Sequence, residues 1–428
     1  MRSRHALALL TSASLLAACA PAQTDGNGSD ADESTGTLRV WLFDEVDREP
    51  KEEVVEAAVE EFENEHEDVT VDVSYIQVDG RQEQFNAAFN DPDSAPDVAE
   101  FGNTDLAGFV AAGGMADLTE DVTDWDEGGE LDEAITETAQ VDGVTYGVPW
   151  FVGVRALFYR TDILDDIGAD PPETLDEVIE TASEARSDSD LLGLSSGGNY
   201  TFALLPFIWA YGGDIAEESG EGYTATVDDE AARTGVERYA EVLTEDICPP
   251  ATCAEMDGNE SVDNFIADEA AMTLGGNFNY AATADSDIGD DFDVIPLPGE
   301  DSDSIAPAFA GGNHLGVFEG SDRHSLAVEF TQLLAGAEYQ EQMYEAMGNL
   351  PTLTSVQENV AATDPEMEPF IETLEAGTEF VPTSEAWTTI DAQAVLPSMV
   401  QQIATDDETV EDATETAVDR MNDAFDES

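Results

Sequence analysis

Lysine is almost missing from this chain: Lys51 is the only one, and the other basic side chains are arginines. Together they number 13 against 97 Asp and Glu, for a formal net charge of -84. Phosphate backbones are bound by clustered Lys and Arg, so nucleic acid is excluded as a partner. Cysteine is nearly as scarce, with Cys19, Cys248 and Cys253 alone. No second pair exists to complete a zinc tetrahedron, and no P-loop, zinc-protease or EF-hand pattern occurs, so neither metal nor cofactor is expected. Histidine is also sparse. Gly193–Gly197 matches the G-x-S-x-G pattern of hydrolases, but only His314 and His324 follow to activate Ser195. Enzymatic activity is therefore not expected. Past residue 18 no run is apolar and long enough to span a bilayer.

Two readings compete for the acidity. Acidic chains with few aromatics are often disordered. Here 19 Phe, 10 Tyr and 5 Trp accompany regular apolar periodicity, so a core can be buried. The reading adopted is a folded protein with a carboxylate surface, which repels itself in dilute buffer and is screened at molar salt. That is a halophilic pattern. At 428 residues, two or more lobes are expected.

The N-terminus carries an address. Arg2 and Arg4 precede the run of small and apolar residues Ala6–Ala18, whose last three, Leu16, Ala17 and Ala18, are followed by Cys19. Residues 1–18 read as a signal peptide. Cysteine directly after Leu-Ala-Ala resembles the bacterial lipobox, which implies an acylated Cys19 at the mature N-terminus. Residues 19–36, polar and rich in Asp, Gly, Ser and Thr, read as a flexible tether. The acyl chains would hold the protein on the outer face of the cell membrane. In an exported chain, Cys248 and Cys253 are expected to form a local disulfide.

Along the chain, strands alternate with helices. Thr37–Phe43, Val69–Ile76 and Asp97–Phe101 read as strands, and the face of Val54, Val55, Ala58, Val59 and Phe62 reads as helix, as does Arg81–Phe89. Near residue 150 the unit restarts with an apolar strand over Val152–Tyr159, interrupted only by Gly153 and Arg155. Helices follow at about 175–185, 202–211 and 229–243, with strands at 271–274, 293–295 and 315–318 and two amphipathic helices over 397–425. The alternation implies parallel sheets covered on both faces. Two such α/β lobes joined by mid-sheet crossings make a hinged clamp, with ligand in the crevice beyond the strand ends.

Six segments in register carry a resemblance: Ala95–Thr104, Asp142–Trp150, Arg155–Asp162, Pro206–Gly213, Ala271–Phe278 and Gly311–His314. They resemble the extracellular solute-binding proteins of carbohydrate ABC importers, the maltodextrin-binding-like family, with chitobiose-type binders among the nearer resemblances. The resemblance implies a two-lobed periplasmic-binding-protein (venus-flytrap) fold of type II, with discontinuous lobes and a hinge. It also implies a di- or oligosaccharide ligand and permease subunits as partners. The lobes are expected at 37–152 plus 300–333 and at 153–299 plus 334–428, in a monomer. A binding or sensory lipoprotein of the same fold for a non-sugar solute is the alternative.

A sugar ring needs flat aromatic platforms for its C–H face and planar polar groups for its hydroxyls. Trp150, Tyr200, Trp209, Phe278 and Trp387 are the candidate platforms. Asp44, Glu100, Asn103, Arg155, Asn199, Asn277, Asn313 and His314 are the candidate polar belt. The family often places an acidic residue two before the arginine, where Gly153 stands here, and Asn where His314 stands.

The charge balance yields a first prediction. Thermal unfolding should occur at a markedly lower temperature in dilute buffer than in about 3 M KCl, where the Debye length falls to roughly 3 Å or less. Equal melting temperatures in the two buffers would refute the halophilic reading.

Overall fold

The computed structural model describes residues 33–45, 48–78, 80–91, 95–189, 191–219 and 222–427. The signal peptide, Cys19 and most of the tether lie outside these residues. The first element is a strand, Gly36–Phe43, whose inward positions Leu38, Val40 and Leu42 are fully buried. The helix Glu49–Glu65 follows. Pro50 sits in its first turn, where no backbone N–H is needed, and Glu49 and Glu52 face the positive end of its dipole. Its buried stripe of Val54, Val55, Ala58 and Phe62 covers the sheet. The next strand, Val69–Ile76, pairs in parallel with the first along its whole length.

These strands belong to a six-stranded sheet. Its order from one edge is Leu350–Pro351, Val148–Gly153, Gly311–Val317, Val98–Gly102, Gly36–Phe43 and Val69–Ile76. A second sheet of four runs Phe292–Ile295, Arg155–Arg160, Ala270–Gly276, Leu192–Ser195. Each sheet is the heart of one lobe. Both are mixed rather than purely parallel. Gly311–Val317 is antiparallel to both its neighbours, and Arg155–Arg160 is antiparallel to both of its own. The reason is connectivity: strands that enter from the other lobe lack the crossover helix that enforces parallel pairing.

The run expected as one strand, Val152–Tyr159, is two strands in two sheets, broken at Val154. A second crossing lies between Phe309 and Gly311. The third follows the helix Thr354–Thr363, whose Val356 packs in the first-lobe core while Val360 packs in a cluster that also holds Phe158 and Phe370. Asn277 ties the first crossing to a first-lobe turn: its Oδ1 accepts from Val154 N–H (3.1 Å) and its Nδ2 donates to the Gly348 carbonyl (2.8 Å).

Two lobe assignments move. Ala306 and Phe309 lie in the second-lobe core, so the return to the first lobe comes near residue 310 rather than 300. Tyr339 and Met343, on the helix Ala337–Met347, pack with Leu38 and Phe62 in the first-lobe core. Amphipathic periodicity shows that a face is buried; it does not show against which sheet. Cys248 and Cys253 lie side by side with Cα atoms 5.9 Å apart. Among the described residues no helix is long and apolar enough to cross a membrane.

The sole lysine is completely buried at the end of the first strand. Lys51 Nζ donates to the Phe43 carbonyl (3.1 Å), Glu45 Oε1 (2.8 Å) and Glu100 Oε2 (2.9 Å). Burial pulls its pKa down, but the Glu100 and Glu45 carboxylates outweigh this and hold it above the ordinary lysine value. Lys51→Met leaves the Glu100 carboxyl buried without its cation and should cost about 3–5 kcal/mol in urea unfolding at high salt. A loss under about 1 kcal/mol would mean that the pair contributes no more than an exposed one.

Candidate functional site

Between the lobes lies a cleft of about 640 Å³, bounded on one side by the carboxyl ends of the first-lobe strands. This is where open α/β sheets bind ligands. Phe43, Asn103 and Asn313 line it from the first lobe, and Arg155, Phe202 and Phe278 from the second. Its size suits a small ligand largely enclosed.

Arg155 is the central cation. Its guanidinium carbon lies 5.0 Å from the Phe202 ring centre, 5.4 Å from Tyr200 and 5.9 Å from Phe278. Its Nε donates to Tyr200 Oη (2.7 Å), and that hydroxyl donates in turn to the Leu274 carbonyl (3.0 Å). The buried tyrosine therefore fixes the arginine, and its aromatic neighbours supply cation–π contacts in place of a carboxylate. Phe278 is 48% exposed, one of two large apolar side chains so placed among the described residues. A Cβ at Gly153 would come within 3.3 Å of its ring, and one at Gly276 within 2.3 Å. Gly153 thus makes room for the platform. Phe202 stacks on Phe309, ring centres 4.5 Å apart.

On the opposite wall, each asparagine commits its Nδ2 to the protein. Asn103 donates to the Ala310 carbonyl (2.9 Å) and Asn313 to Glu100 Oε1 (2.6 Å). Their amide oxygens remain to accept from ligand hydroxyls. Arg81 is clamped by Asp105 through two hydrogen bonds of 2.6 and 3.0 Å. Asp391 approaches from the second lobe; burial raises its pKa, and Arg81 partly offsets this.

Of the residues expected from sequence, Asn103, Arg155, Phe278 and Asn313 meet at the cleft. Tyr200, Glu100 and Asn277 stand behind it, positioning Arg155, Asn313 and the crossing at Val154. Asp44 sits at the rim, held by Gln77 (2.8 Å), and Asn199 is exposed outside the cleft lining. The three tryptophans are corrected. Trp150 is fully buried in the first-lobe core, with Lys51 5.3 Å from its ring centre. Trp209 and Trp387 are buried in the second-lobe core. A large indole gains most by full burial, which competes with display to a ligand.

His314 is likewise a core residue, fully buried, with Nε2 3.0 Å from Thr138 Oγ1. Ser195 is buried and accepts a hydrogen bond from Asn264 Nδ2 (3.2 Å). Phe43, Arg81, Phe151, Phe202, Phe309 and Asp391 were not anticipated as cleft residues. Phe43 and Phe151 had a legible signal, since each ends or flanks a strand at the lobe seam. Among the described residues no group of His, Cys, Asp and Glu could hold a metal ion.

Residues 57–369 match the family model described as bacterial extracellular solute-binding protein. The diacetylchitobiose binding protein DasA of Streptomyces coelicolor is 26% identical over 358 residues, covering 81% of this chain and 80% of that protein. The galactooligosaccharide-binding protein of Bacillus subtilis is 23% identical over 413 residues, covering 94% and 93%. Among solved structures, the sugar-binding protein MalE of Xanthomonas citri superposes with a TM-score of 0.80 at 21% identity, covering 91% of this chain and 98% of that one. The fold is thus the two-lobed periplasmic-binding-protein fold.

Burial of His314 lowers its pKa from 6.5 to about 4. The unfolded chain binds the proton first, so the stability contributed by neutral His314 is present above pH 6.5 and is lost progressively as pH falls toward 4. The loss approaches about 3 kcal/mol. Wild type and His314→Gln, compared by urea unfolding between pH 4 and 7, should differ in slope over that window. Parallel pH profiles would contradict the buried, neutral imidazole.

Proposed function

The chain belongs to the bacterial extracellular solute-binding proteins, and on that premise we propose that it captures a di- or oligosaccharide for a carbohydrate ABC importer. The observation that carries this reading is the pairing of an exposed phenyl platform, Phe278, with a tyrosine-anchored guanidinium, Arg155, across a cleft from two amide side chains. Aromatic faces suit the C–H side of a pyranose, and the amides and guanidinium suit its hydroxyls. Diacetylchitobiose and galactooligosaccharide, named for two relatives, fall in the same chemical class.

The ligand binds reversibly, without bond making, and shifts an open–closed equilibrium by its preference for the closed lobes. Closed lobes then present a single surface to the permease subunits. Cys19 is acylated and tethers the monomer outside the cell, on the segment up to residue 36. Cys248 and Cys253 form a disulfide, and the carboxylate surface adapts the protein to high salt.

Thermal-shift screening of di- and oligosaccharides at high salt should find ligands that raise the melting temperature by mass action. For such a ligand, Phe278→Ala and Arg155→Ala should each weaken affinity at least about tenfold. Trp387→Ala should instead lower the melting temperature without ligand, as loss of a core aromatic does. Unchanged affinity in both cleft variants would remove the site from this cleft.

A further inference from the structure

The cleft does not end at Asn103. Asn103, Thr104 and Phe309 line both the cleft and a neck of about 20 Å³. The neck shares Ala107, Thr138, Phe380 and Thr383 with a second chamber of about 970 Å³. The three spaces therefore form one groove between the lobes. As it stands, the neck has room for little more than a water molecule, so no sugar ring fits through it. Its walls, however, belong to opposite lobes. Asn103, Thr104 and Ala107 follow a first-lobe strand, whereas Phe309 and Val381 pack in the second-lobe core. Opening the lobes parts the neck without unfolding either wall.

The second chamber has its own platform and its own acceptors. Tyr223 and Phe425 stack with ring centres 5.7 Å apart and an interplanar angle of 29°. Both line the chamber, as do Glu137 and Asp142 from the first lobe and Glu218 and Glu385 from the second. In so acidic a chain the carboxylates alone carry no meaning. Their placement around an aromatic pair, in a concavity walled by both lobes, gives the composition that a sugar ring needs. The platform is also tied to the neck, because Thr383 N–H donates to Tyr223 Oη (3.2 Å).

Resting on the saccharide reading above, we propose that the second chamber is a distal subsite of the same groove. The ligand is then a linear oligosaccharide longer than a disaccharide, running from Arg155 and Phe278 to Tyr223 and Phe425. The first chamber alone is large enough to hold a small ligand, so a chain that reaches the second must carry additional rings. It is laid into the open groove and clamped at the neck on closure, with the segment from Phe380 to Thr383 and the Tyr223 ring moving as a unit.

The test is calorimetric titration at high salt with chito-, malto-, cello- and galacto-oligosaccharide ladders from two to six rings. In whichever series binds, members longer than two rings should bind roughly tenfold or more tighter than the disaccharide. Tyr223→Leu should erase that gain and leave disaccharide affinity unchanged. Glu218→Trp, which adds bulk at an exposed position of the chamber, should do the same if the tyrosine variant proves unstable. A binding disaccharide with no gain on lengthening would overturn the distal subsite and leave the sugar reading standing. So would a gain that survives both substitutions. Failure of every member of every ladder to bind would overturn both.

Discussion

The cleft depends on one buried ion pair. Lys51 and Glu100 are both inaccessible to solvent, and each holds more than the other. Glu100 accepts from the Phe43 N–H (2.7 Å) and from Asn313 Nδ2, while Lys51 binds the Phe43 carbonyl and Glu45. The end of the first strand is thereby fastened on both its backbone groups, by a helix on one side and a strand on the other. Phe43, Glu45 and Asn313, three walls of the cleft, are held by this node. Desolvating two ions is costly, and such pairs persist where geometry and supplementary hydrogen bonds offset the cost. Here those bonds are present. In a chain with so few cations, the only lysine is placed beneath the cleft rather than on the surface.

The second organising cation, Arg155, is treated in the opposite way. Most described arginines meet a carboxylate, as Arg81 does in Asp105 and Arg323 in Glu33. Arg155 is framed by rings and steadied by a neutral phenol. Aromatic faces attract the guanidinium without neutralising it, so its remaining N–H groups stay available to a ligand. Gly153 belongs to the same arrangement. The acidic residue expected two before the arginine would compete for it electrostatically and crowd the Phe278 ring; glycine does neither.

Much of the architecture was legible before any coordinates. The strand Val69–Ile76 and the helix Arg81–Phe89 appear where their periodicities place them, because local apolar patterns report local structure. The crossings were harder. Val152–Tyr159 is apolar apart from Gly153 and Arg155, which flank the change of sheet at Val154, but an interrupted apolar run reads as one strand as readily as two. The tryptophans misled for a related reason. Trp150 flanks the expected seam, Trp209 lies in an apolar run and Trp387 in what reads from sequence as a late loop, yet which face of a strand or helix points to ligand depends on pairing across the chain. The smaller phenylalanines Phe202 and Phe309 line the cleft instead, and composition alone gave no sign of it. Asn103 and Asn313 were legible because an amide at the end of a strand has few other uses.

Asn277 has a mechanical consequence for the whole molecule. By gripping the peptide at Val154 and the carbonyl at Gly348, it acts as a rivet between one of the spans that link the halves and a first-lobe turn. A riveted joint permits pivoting but resists sliding. Ligands of different length should therefore alter how far the halves swing together, while the axis of the swing stays the same.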